Sequence, residues 1–382
     1  MLRPLLRRNE LIIKSLELNN FRNYENQKIE FDKKNNILYG DNAQGKTNVL
    51  EALFLCGTTK SHKGAKDREM IRIGCDEAHL RMIIEKDGME RKIDMHLKKN
   101  KSKGAAIDGI PIKKSAQIIG MVNMVFFSPE DLSIIKSGPE MRRKFIDMEL
   151  CQLDKIYLNN LYNYNRVLKQ RNNLLKQISS ADGFRSNKKS EQSQSLMSTL
   201  DIWDEQLCNY GKEVIKARVE FINELSEIVK NIHYRLSGNT EDISMKYDAN
   251  VSNDNFADKL FLNRERDIYM GSTSCGPHRD DVSFYIKETD IRKFGSQGQQ
   301  RTSALSLKLS EIEIVKKRIK EEPILLLDDV LSELDRKRQN HLLNSIVNTQ
   351  TIITCTGLEE FVTNRFNIDK TYEVVNGHVN TN

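Results

Sequence analysis

An eight-residue stretch near the N-terminus constrains the fold more strongly than any other part of this sequence. It matches the pattern Gly-x-x-x-x-Gly-Lys-Ser/Thr of phosphate-binding loops, and its residues are Gly40, Asp41, Asn42, Ala43, Gln44, Gly45, Lys46 and Thr47. A short apolar strand is predicted over 36–39, and a buried helix is predicted over 48–55. Because strand, glycine loop and helix follow one another in the order that the motif requires, this stretch predicts an α/β fold that binds a nucleotide.

The side chains and backbone of this loop have distinct predicted tasks. Glycine lets the backbone wrap around phosphates, and the free N–H groups at the start of the helix face the anion. We expect Lys46 to reach the outer phosphates and the Thr47 hydroxyl to bind Mg²⁺. The alternative is an ordinary glycine-rich turn between a strand and a helix, and the intact context disfavours it.

Length and composition limit the class of protein. A chain of 382 residues with 38% hydrophobic and 30% charged residues is long enough for two or three structural units and is typical of a globular protein. No apolar run reaches the ~18 residues of a membrane span. The six cysteines are scattered without a Cys-x-x-Cys pair, which argues against a zinc site or a disulfide framework and favours reduced thiols in a cytoplasm. The net charge of +6 permits nucleic acid as a partner, and residues 1–10 are expected to be a disordered extension.

The remaining elements divide the chain into an interrupted first lobe and an inserted second lobe. Residues 11–137 carry predicted strands with Asp-Gly turns at 87–88 and 108–109, which indicate antiparallel hairpins laid against the phosphate-loop unit. Residues 138–268 contain two segments whose apolar residues recur at steps of three and four, which predicts a short helical hairpin. Whether this insert is a packed helical subdomain or a coiled coil stays open. Strands return in 269–382, the second half of the first lobe.

Two carboxylates end the most apolar strand that the sequence predicts. Residues 324–327 are wholly apolar and are followed by Asp328 and Asp329, which is typical of a buried parallel strand whose acidic end lies at the ligand-binding edge. We expect Asp328 to hold Mg²⁺ and Asp329 to act as a base or to orient the attacking water. The alternative for Asp329 is that it caps the next turn.

A second candidate for anion binding opens a long predicted amphipathic helix. Ser296 and Gly298 would present a hydroxyl and backbone amides at the N-terminus of this helix. Ser296 by itself could be an ordinary N-cap, since serine is a preferred capping residue. The neighbouring Gly295, Gln299 and Gln300, just ahead of the strand with two carboxylates, favour a role in phosphate binding.

These segments together resemble the motifs of ABC-type ATPases. Residues 40–47 look like the Walker A loop, 295–299 like the signature, 328–329 like Walker B and 331–335 like the D-loop. The inserted helical lobe resembles the SMC-like branch of these ATPases. The segments that more specifically resemble RecF proteins are 20–24, 45–52, 138–139 with 142–145, and 276–279. The sequence is thus similar to the RecF family of bacterial recombination mediators over nearly the whole chain from residue 11.

The resemblance implies a fold and an activity. The fold would be an ABC-type P-loop ATPase head, lobe I, which carries an antiparallel β subdomain and an inserted, mainly helical lobe II. The activity would be that of a weak ATPase which uses ATP and Mg²⁺ as a switch for dimerisation. The residues that the resemblance assigns are Lys46, Asp328 and Asp329 for catalysis, Thr47 and Asp328 for the metal, Arg22 among the ATP-binding residues, and Ser332 and Asp335 in the D-loop.

The resemblance also implies partners. Two subunits would enclose ATP between the Walker A loop of one and the signature of the other, so that Ser296, Gly298 and Gln299 act in trans. RecF proteins bind DNA, including gap junctions between single and double strands, and work with RecO and RecR to load recombinase. The candidates for DNA phosphate contacts are Lys60, Lys63, Lys66, Arg68, Lys98, Lys99 and Lys101. The alternative is that these are solvated surface residues.

The sequence departs from the usual ATPase pattern at two positions, and it leaves several other functions open. Gly295-Ser296 stands where the signature usually begins Leu-Ser, and Thr354 stands where many ABC ATPases carry a histidine. No glutamine marks a Q-loop, whose position falls at 127–131. The alternative functions are an SMC-like structural ATPase, the ATPase subunit of an ABC transporter and a small-molecule kinase.

Overall fold

Two compact units make up the part of the chain that the computed structural model describes, which is residues 11–180, 191–346, 349–358 and 367–381. Unit 1 combines Met1–Leu132 with Ala304–Asn382, and unit 2 is Ser133–Ser303. The extension predicted at 1–10 lies outside the described residues. No helix in the described ranges has both the length and the apolar character needed to cross a bilayer.

The helices and strands follow one another along the chain in three groups. The first group is β1 (Leu11–Phe21), β2 (Tyr24–Glu30), β3 (Asn35–Tyr39), α1 (Lys46–Thr58), β4 (Glu77–Lys86), β5 (Met89–Lys98), β6 (Gly104–Ile107), β7 (Ile110–Pro111) and β8 (Met124–Phe127). The second is α2 (Leu132–Lys136), α3 (Pro139–Leu153), α4 (Lys155–Ser180), α5 (Glu191–Leu236), β9 (Ile243–Asp248), α6 (Phe256–Leu262), α7 (Arg264–Met270), β10 (Asp281–Ile286), β11 (Thr289–Asp290), α8 (Ile291–Phe294) and α9 (Gln297–Ile319). The third is β12 (Ile324–Asp328), α10 (Arg336–Ser345), β13 (Thr351–Cys355), β14 (Lys370–Val375) and β15 (His378–Thr381).

A six-stranded antiparallel sheet in unit 1 confirms the predicted hairpins. Its strand order is β2-β1-β4-β5-β6-β7. Asp87 and Gly88 have positive φ values of 55° and 76°, as a two-residue turn between β4 and β5 requires. The side chains of β4 alternate between exposed and buried along most of the strand. One face of this sheet is therefore packed, and the other faces water.

A second six-stranded sheet in unit 1 brings the predicted site segments together. Its order is β15-β14-β3-β13-β12-β8, and every pair except β14 with β15 is parallel. Strand β12 is wholly buried, as its apolar sequence predicts. Because the carboxyl ends of parallel strands meet at one edge of a sheet, the residues after β3, β12 and β13 lie side by side. The predicted α/β class is confirmed.

Unit 2 begins near the predicted boundary and ends well beyond the predicted one. Its first residue is 133, close to the predicted 138, but its last is 303 and not 268. The cause is a pairing between distant segments, because β10 pairs along its whole length with β9, and β11 extends the same antiparallel sheet. Residues 269–303, which we predicted in the first lobe, therefore belong to the same compact unit as the helices.

Two long helices of unit 2, α4 and α5, pack against each other and confirm the predicted helical hairpin. Leu174, Leu175 and Ile178 of α4 share a buried cluster with Leu200 of α5 and with Ile268 of α7. Helix α4 also contacts α3, and α5 contacts α6 and β9. The insert is therefore a packed helical subdomain and not a free two-helix coiled coil.

A buried arginine links three segments of unit 2. Arg171 on α4 is 0% exposed, and its guanidinium donates from Nε to Asp204 Oδ1 at 2.6 Å and from Nη1 to Asp267 Oδ2 at 2.8 Å. Asp267 is also fully buried. A buried ion pair of this kind adds little net stability, but the loss of one partner leaves a charge stranded in a medium of low dielectric constant.

Arg171→Met should lower the free energy of unfolding of unit 2 by about 3–5 kcal/mol, because the buried Asp267 carboxylate loses its cation. Trp203, the single tryptophan of the sequence, packs against the α4–α5 cluster, so its fluorescence during urea unfolding reports on this unit. Arg166→Met is the matched control, since Arg166 is an exposed arginine on the same helix, and its effect should stay within about 0.5 kcal/mol. Equal effects of the two substitutions would contradict the role assigned to Arg171.

Candidate functional site

The backbone of the phosphate-binding loop takes conformations that require glycine at two positions. Gly40 and Gly45 have φ values of 147° and 117°, which lie in the region that L side chains rarely adopt. A Cβ atom on Gly40 would collide with the carbonyl oxygen of Val374, and one on Gly45 would collide with the Asn23 side chain. Helix α1 begins immediately afterwards, at Lys46. The loop therefore has the strand, turn and helix start that the motif predicts.

Two neighbouring segments hold the outer rim of the loop. Asn23 Nδ2 donates to the Gln44 carbonyl oxygen at 2.9 Å, and the Tyr24 hydroxyl donates to the Gly45 carbonyl oxygen at 3.0 Å. The Gly377 N–H, in the turn between β14 and β15, also donates to the Gln44 carbonyl oxygen, at 3.1 Å. No role in binding is predicted for these three residues from the sequence. The sequence offered one indication of these contacts, because Asn23 and Tyr24 lie in a segment that resembles RecF proteins.

Lys46 is folded back into its own loop. Its Nζ donates to the carbonyl oxygens of Gly40 at 2.5 Å and Asp41 at 2.7 Å, and the residue is 7% exposed. Burial lowers the pKa of Lys46, although the nearby Asp329 and Asp328 carboxylates oppose that shift. The ammonium group is thus held at the site where the motif requires a cation, and a phosphate would compete with the loop carbonyls for it.

Thr47 and Asp328, the predicted metal ligands, are in direct contact. Thr47 Oγ1 donates to Asp328 Oδ1 at 2.7 Å, and the Thr354 hydroxyl donates to the same oxygen at 2.8 Å. Burial raises the pKa of Asp328, and the two hydroxyl donors counteract part of this shift. A hydroxyl and a carboxylate oxygen at this spacing suit Mg²⁺, which prefers oxygen ligands and keeps several of its waters. The residues present therefore fit the metal that the motif implies.

Asp329 occupies an unusual backbone conformation beside this pair. Its φ of 50° lies in the left-handed region, which asparagine and aspartate tolerate better than most residues. The Asp329 N–H donates to the Thr354 carbonyl oxygen at 3.2 Å and to Thr354 Oγ1 at 3.0 Å. The Ser332 hydroxyl donates to the Asp329 carbonyl oxygen at 2.7 Å, and Asp335 accepts from the Arg338 N–H at 2.9 Å as the N-cap of α10. Of the predicted D-loop residues, Ser332 thus holds the turn that carries Asp329, and Asp335 caps the following helix.

Arg22, predicted among the ATP-binding residues, is committed to a carboxylate on α1. Its Nε and Nη2 donate to the two oxygens of Glu51 at 2.8 and 2.9 Å, and Ser61 Oγ donates to Glu51 at 2.5 Å. Burial would raise the pKa of Glu51, but the hydrogen bonds from Arg22 and Ser61 outweigh it, so this pKa is lowered. The structure therefore gives Arg22 a bidentate ion pair beside the loop helix, and its contact with ATP stays a prediction.

The signature segment lies in unit 2 and forms a reciprocal cap at the start of α9. The Ser296 N–H donates to Gln299 Oε1 at 2.9 Å, and the Gln299 N–H donates to Ser296 Oγ at 3.2 Å. Gln299 Nε2 in turn donates to Glu241 Oε1 at 2.9 Å. Ser296 and Gly298 are exposed. A Cβ on Gly295 would collide with the Ile291 carbonyl oxygen, which explains why glycine and not leucine precedes this serine.

The basic residues predicted to bind DNA lie in two segments of unit 1, one after α1 and one at and beyond the end of β5. Lys98 is half-buried, whereas the other six are exposed: Lys60, Lys63, Lys66, Arg68, Lys99 and Lys101. The two segments are tied together by Lys103, whose Nζ donates to Asp67 Oδ1 at 2.8 Å and to the Thr59 carbonyl oxygen at 2.7 Å. The two groups of cations therefore adjoin each other, and whether they contact DNA stays a prediction.

Comparison with known proteins identifies the relatives of this chain. The family model described as RecF/RecN/SMC N terminal domain matches residues 12–380. A DNA replication and repair protein RecF of Lachnoclostridium phytofermentans is 60% identical over 369 residues, which cover 97% of this chain and 99% of the relative. A structure of the recombination mediator protein RecF with ATP, in the RecFOR pathway, matches with a TM-score of 0.89 at 33% identity and covers 100% of both chains. An Smc head domain from Pyrococcus furiosus shares the fold, with a TM-score of 0.55 at 17% identity and 97% and 96% of the two chains covered. These matches confirm the predicted SMC-like ATPase head.

Asp328→Asn should leave the nucleotide-free protein at least as stable as wild type, because a buried carboxyl with a raised pKa costs stability at neutral pH when it is ionised. The same substitution should abolish the Mg²⁺-dependent part of the stabilisation by ATP. Ligand at about 100 times its Kd stabilises a native protein by about 2.7 kcal/mol, which a thermal melt detects readily. Asp329→Asn is the control that keeps the Mg²⁺ effect. A lower Tm of nucleotide-free Asp328→Asn, or an unchanged Mg²⁺ effect, would contradict the assignment.

Proposed function

This chain belongs to the RecF family, and we propose that it is an ATP-dependent DNA-binding protein of recombinational DNA repair and replication restart. The observation that carries the proposal is the meeting of Lys46, Thr47 and Asp328 at one sheet edge, with a second anion-binding motif at Ser296 in the other compact unit. Such a chain carries a phosphate-binding loop with its metal ligands and, separately, a helix start of the kind that binds phosphate. A role on DNA implies a cytoplasmic location.

We propose weak ATPase activity with ATP and Mg²⁺. Lys46 and the loop amides would bind the phosphates, and Thr47 and Asp328 would hold Mg²⁺, which supplies positive charge next to the phosphates when bound. Asp329 would orient the attacking water or accept its proton. Thr354 stands where a histidine is common, and its hydroxyl is already shared between Asp328 and the Asp329 N–H. A neutral hydroxyl in that place fits slow turnover.

ATP is proposed to act as part of an interface between two copies of the chain. Ser296, Gly298 and Gln299 of one subunit would complete the Walker A site of the other, and Ser332 and Asp335 would lie in the D-loop beside it. A two-fold axis would place the signature of each subunit against the Walker A loop of the other, which gives two ATP sites per dimer. The exposure of Ser296 and Gly298 supports this arrangement.

DNA and two further proteins complete the proposal. The relatives are DNA replication and repair proteins, and one solved relative is a recombination mediator in the RecFOR pathway. We propose that this chain binds single-stranded DNA, double-stranded DNA and gap junctions and helps RecO and RecR to load recombinase. The adjoining segments at 60–68 and 98–103 would supply the phosphate contacts.

Sizing of the purified protein without nucleotide, with ADP and with ATP tests the dimer. Wild type should dimerise with ATP only, and Lys46→Arg should stay monomeric because it lacks the phosphate contact. Asp329→Asn should prolong the dimer, since asparagine tolerates the same left-handed backbone and removes only the carboxylate. Ser296→Arg should still bind ATP and yet fail to dimerise, which separates the signature from the loop. A monomer under every condition would overturn the proposal.

Lys99→Ala with Lys101→Ala should weaken binding to duplex DNA of any sequence and reduce the slope of log K against log salt by about 0.9 for each DNA phosphate that is no longer neutralised. Lys216→Ala is the matched control, an exposed lysine of unit 2, and should change neither affinity nor slope. An unchanged slope in the double variant would remove these two lysines from the DNA surface. If neither wild type nor the double variant bound DNA, the alternative function as the ATPase subunit of an ABC transporter would be favoured.

A further inference from the structure

Three metal-binding side chains lie together on the antiparallel sheet of unit 1, on β4 and β5. His79 on β4 and His96 on β5 are directly opposite each other in the strand register. Glu77 is two residues before His79, so it projects from the same face of β4. The β-ladder fixes the backbone of both strands, and the three side chains therefore start from a rigid frame.

The geometry brings their ligand atoms within reach of one ion. The two imidazole rings stack with centroids 3.8 Å apart and an angle of 26° between their planes. His96 Nε2 lies 2.7 Å from Glu77 Oε2, and one ligand atom from each residue lies within 4.8 Å of the others. Ligands of one ion at about 2.0–2.2 Å are separated by distances of this order. Rotation of the two stacked rings would turn their in-plane lone pairs toward a common point.

We propose that Glu77, His79 and His96 form a binding site for a divalent transition-metal ion of the zinc class. Two imidazoles with one carboxylate are the ligand set of such ions, whereas Mg²⁺ prefers oxygen ligands throughout. Three protein ligands leave a coordination position for water or for an outside ligand. A cavity of about 600 Å³ beside the rings, lined among others by Arg81, Asp94 and Gly104, provides space for it.

The Glu77 carboxylate supplies the negative charge of the cluster, and it lies on the same sheet face as the two imidazole rings. Other charges near the cluster are Lys98, opposite Glu77 in the register, and Asp94, which pairs with Arg81 at 2.7 Å.

The prediction against a zinc site rested on the spacing of the cysteines alone. This site contains no cysteine, and its histidines come from different strands. Only the register of β4 against β5 brings His79 opposite His96. The inference is also independent of the proposed ATPase, since no residue of the phosphate-binding loop takes part.

Two titrations of the full chain test the site. Calorimetry measures the binding of Zn²⁺, and visible absorption measures the binding of Co²⁺. The parent should be Cys75→Ser, because Cys75 is a partly exposed thiol, and the buffer should contain Mg²⁺ but no nucleotide. We expect one equivalent to bind, with affinity at least about tenfold weaker in His79→Gln and in His96→Gln. Zn²⁺ should raise the Tm of the parent but not of these variants.

Two controls make the outcome decisive. His378→Gln changes an exposed histidine on β15 and should bind Zn²⁺ like the parent. Circular dichroism and the metal-free Tm establish that His79→Gln and His96→Gln fold, and Glu77→Gln offers a third variant that leaves both rings in place. No saturable binding by the parent, or equal binding by all variants, would overturn the proposal and leave the ATP-dependent dimer unaffected.

Discussion

The hydrogen bond between Thr47 and Asp328 is the interaction on which the rest of this structure depends. It joins residues 281 positions apart in the chain. The bond forms where the two ends of the chain share one sheet, in which β3 lies between β13 and β14. The cost of closing so long a loop grows only slowly with its length. A whole second unit can therefore be inserted between the two halves without removing the edge on which the site is built.

The same edge holds buried charged groups whose hydrogen-bond partners are neutral. Asp328 is buried, its hydrogen-bond donors in the described ranges are two neutral hydroxyls, and its pKa is raised by that burial. Lys46 is buried and donates to neutral carbonyl oxygens of its own loop. Each group would gain from a ligand that carries phosphate and a metal together, since phosphate matches Lys46 and the metal matches Asp328. The nucleotide-free site is thus preorganised and incompletely neutralised.

Features that depend on neighbouring residues in the chain were predicted correctly from the sequence. The loop glycines, the apolar run of β12 and the Asp-Gly turn at 87–88 each depend on residues adjacent in the chain, and each is found where predicted. The boundary at 303 was missed because it depends on β9 pairing with β10, which no local pattern reveals. The rim contacts of Asn23 and Gly377 and the pairing of Arg22 with Glu51 are likewise properties of tertiary packing.

Ser296 and Gln299 of the signature segment were both predicted to act in trans, but their hydrogen bonds differ. Ser296 Oγ accepts the Gln299 N–H, and a hydroxyl that accepts one hydrogen bond still has its proton to donate to an anion. The Gln299 side chain is more constrained, because its oxygen accepts the Ser296 N–H and one of its two amide N–H groups is donated to Glu241, whose other oxygen lies 3.2 Å from the buried His233. Gln299 therefore fixes the turn that leaves the Ser296 hydroxyl exposed.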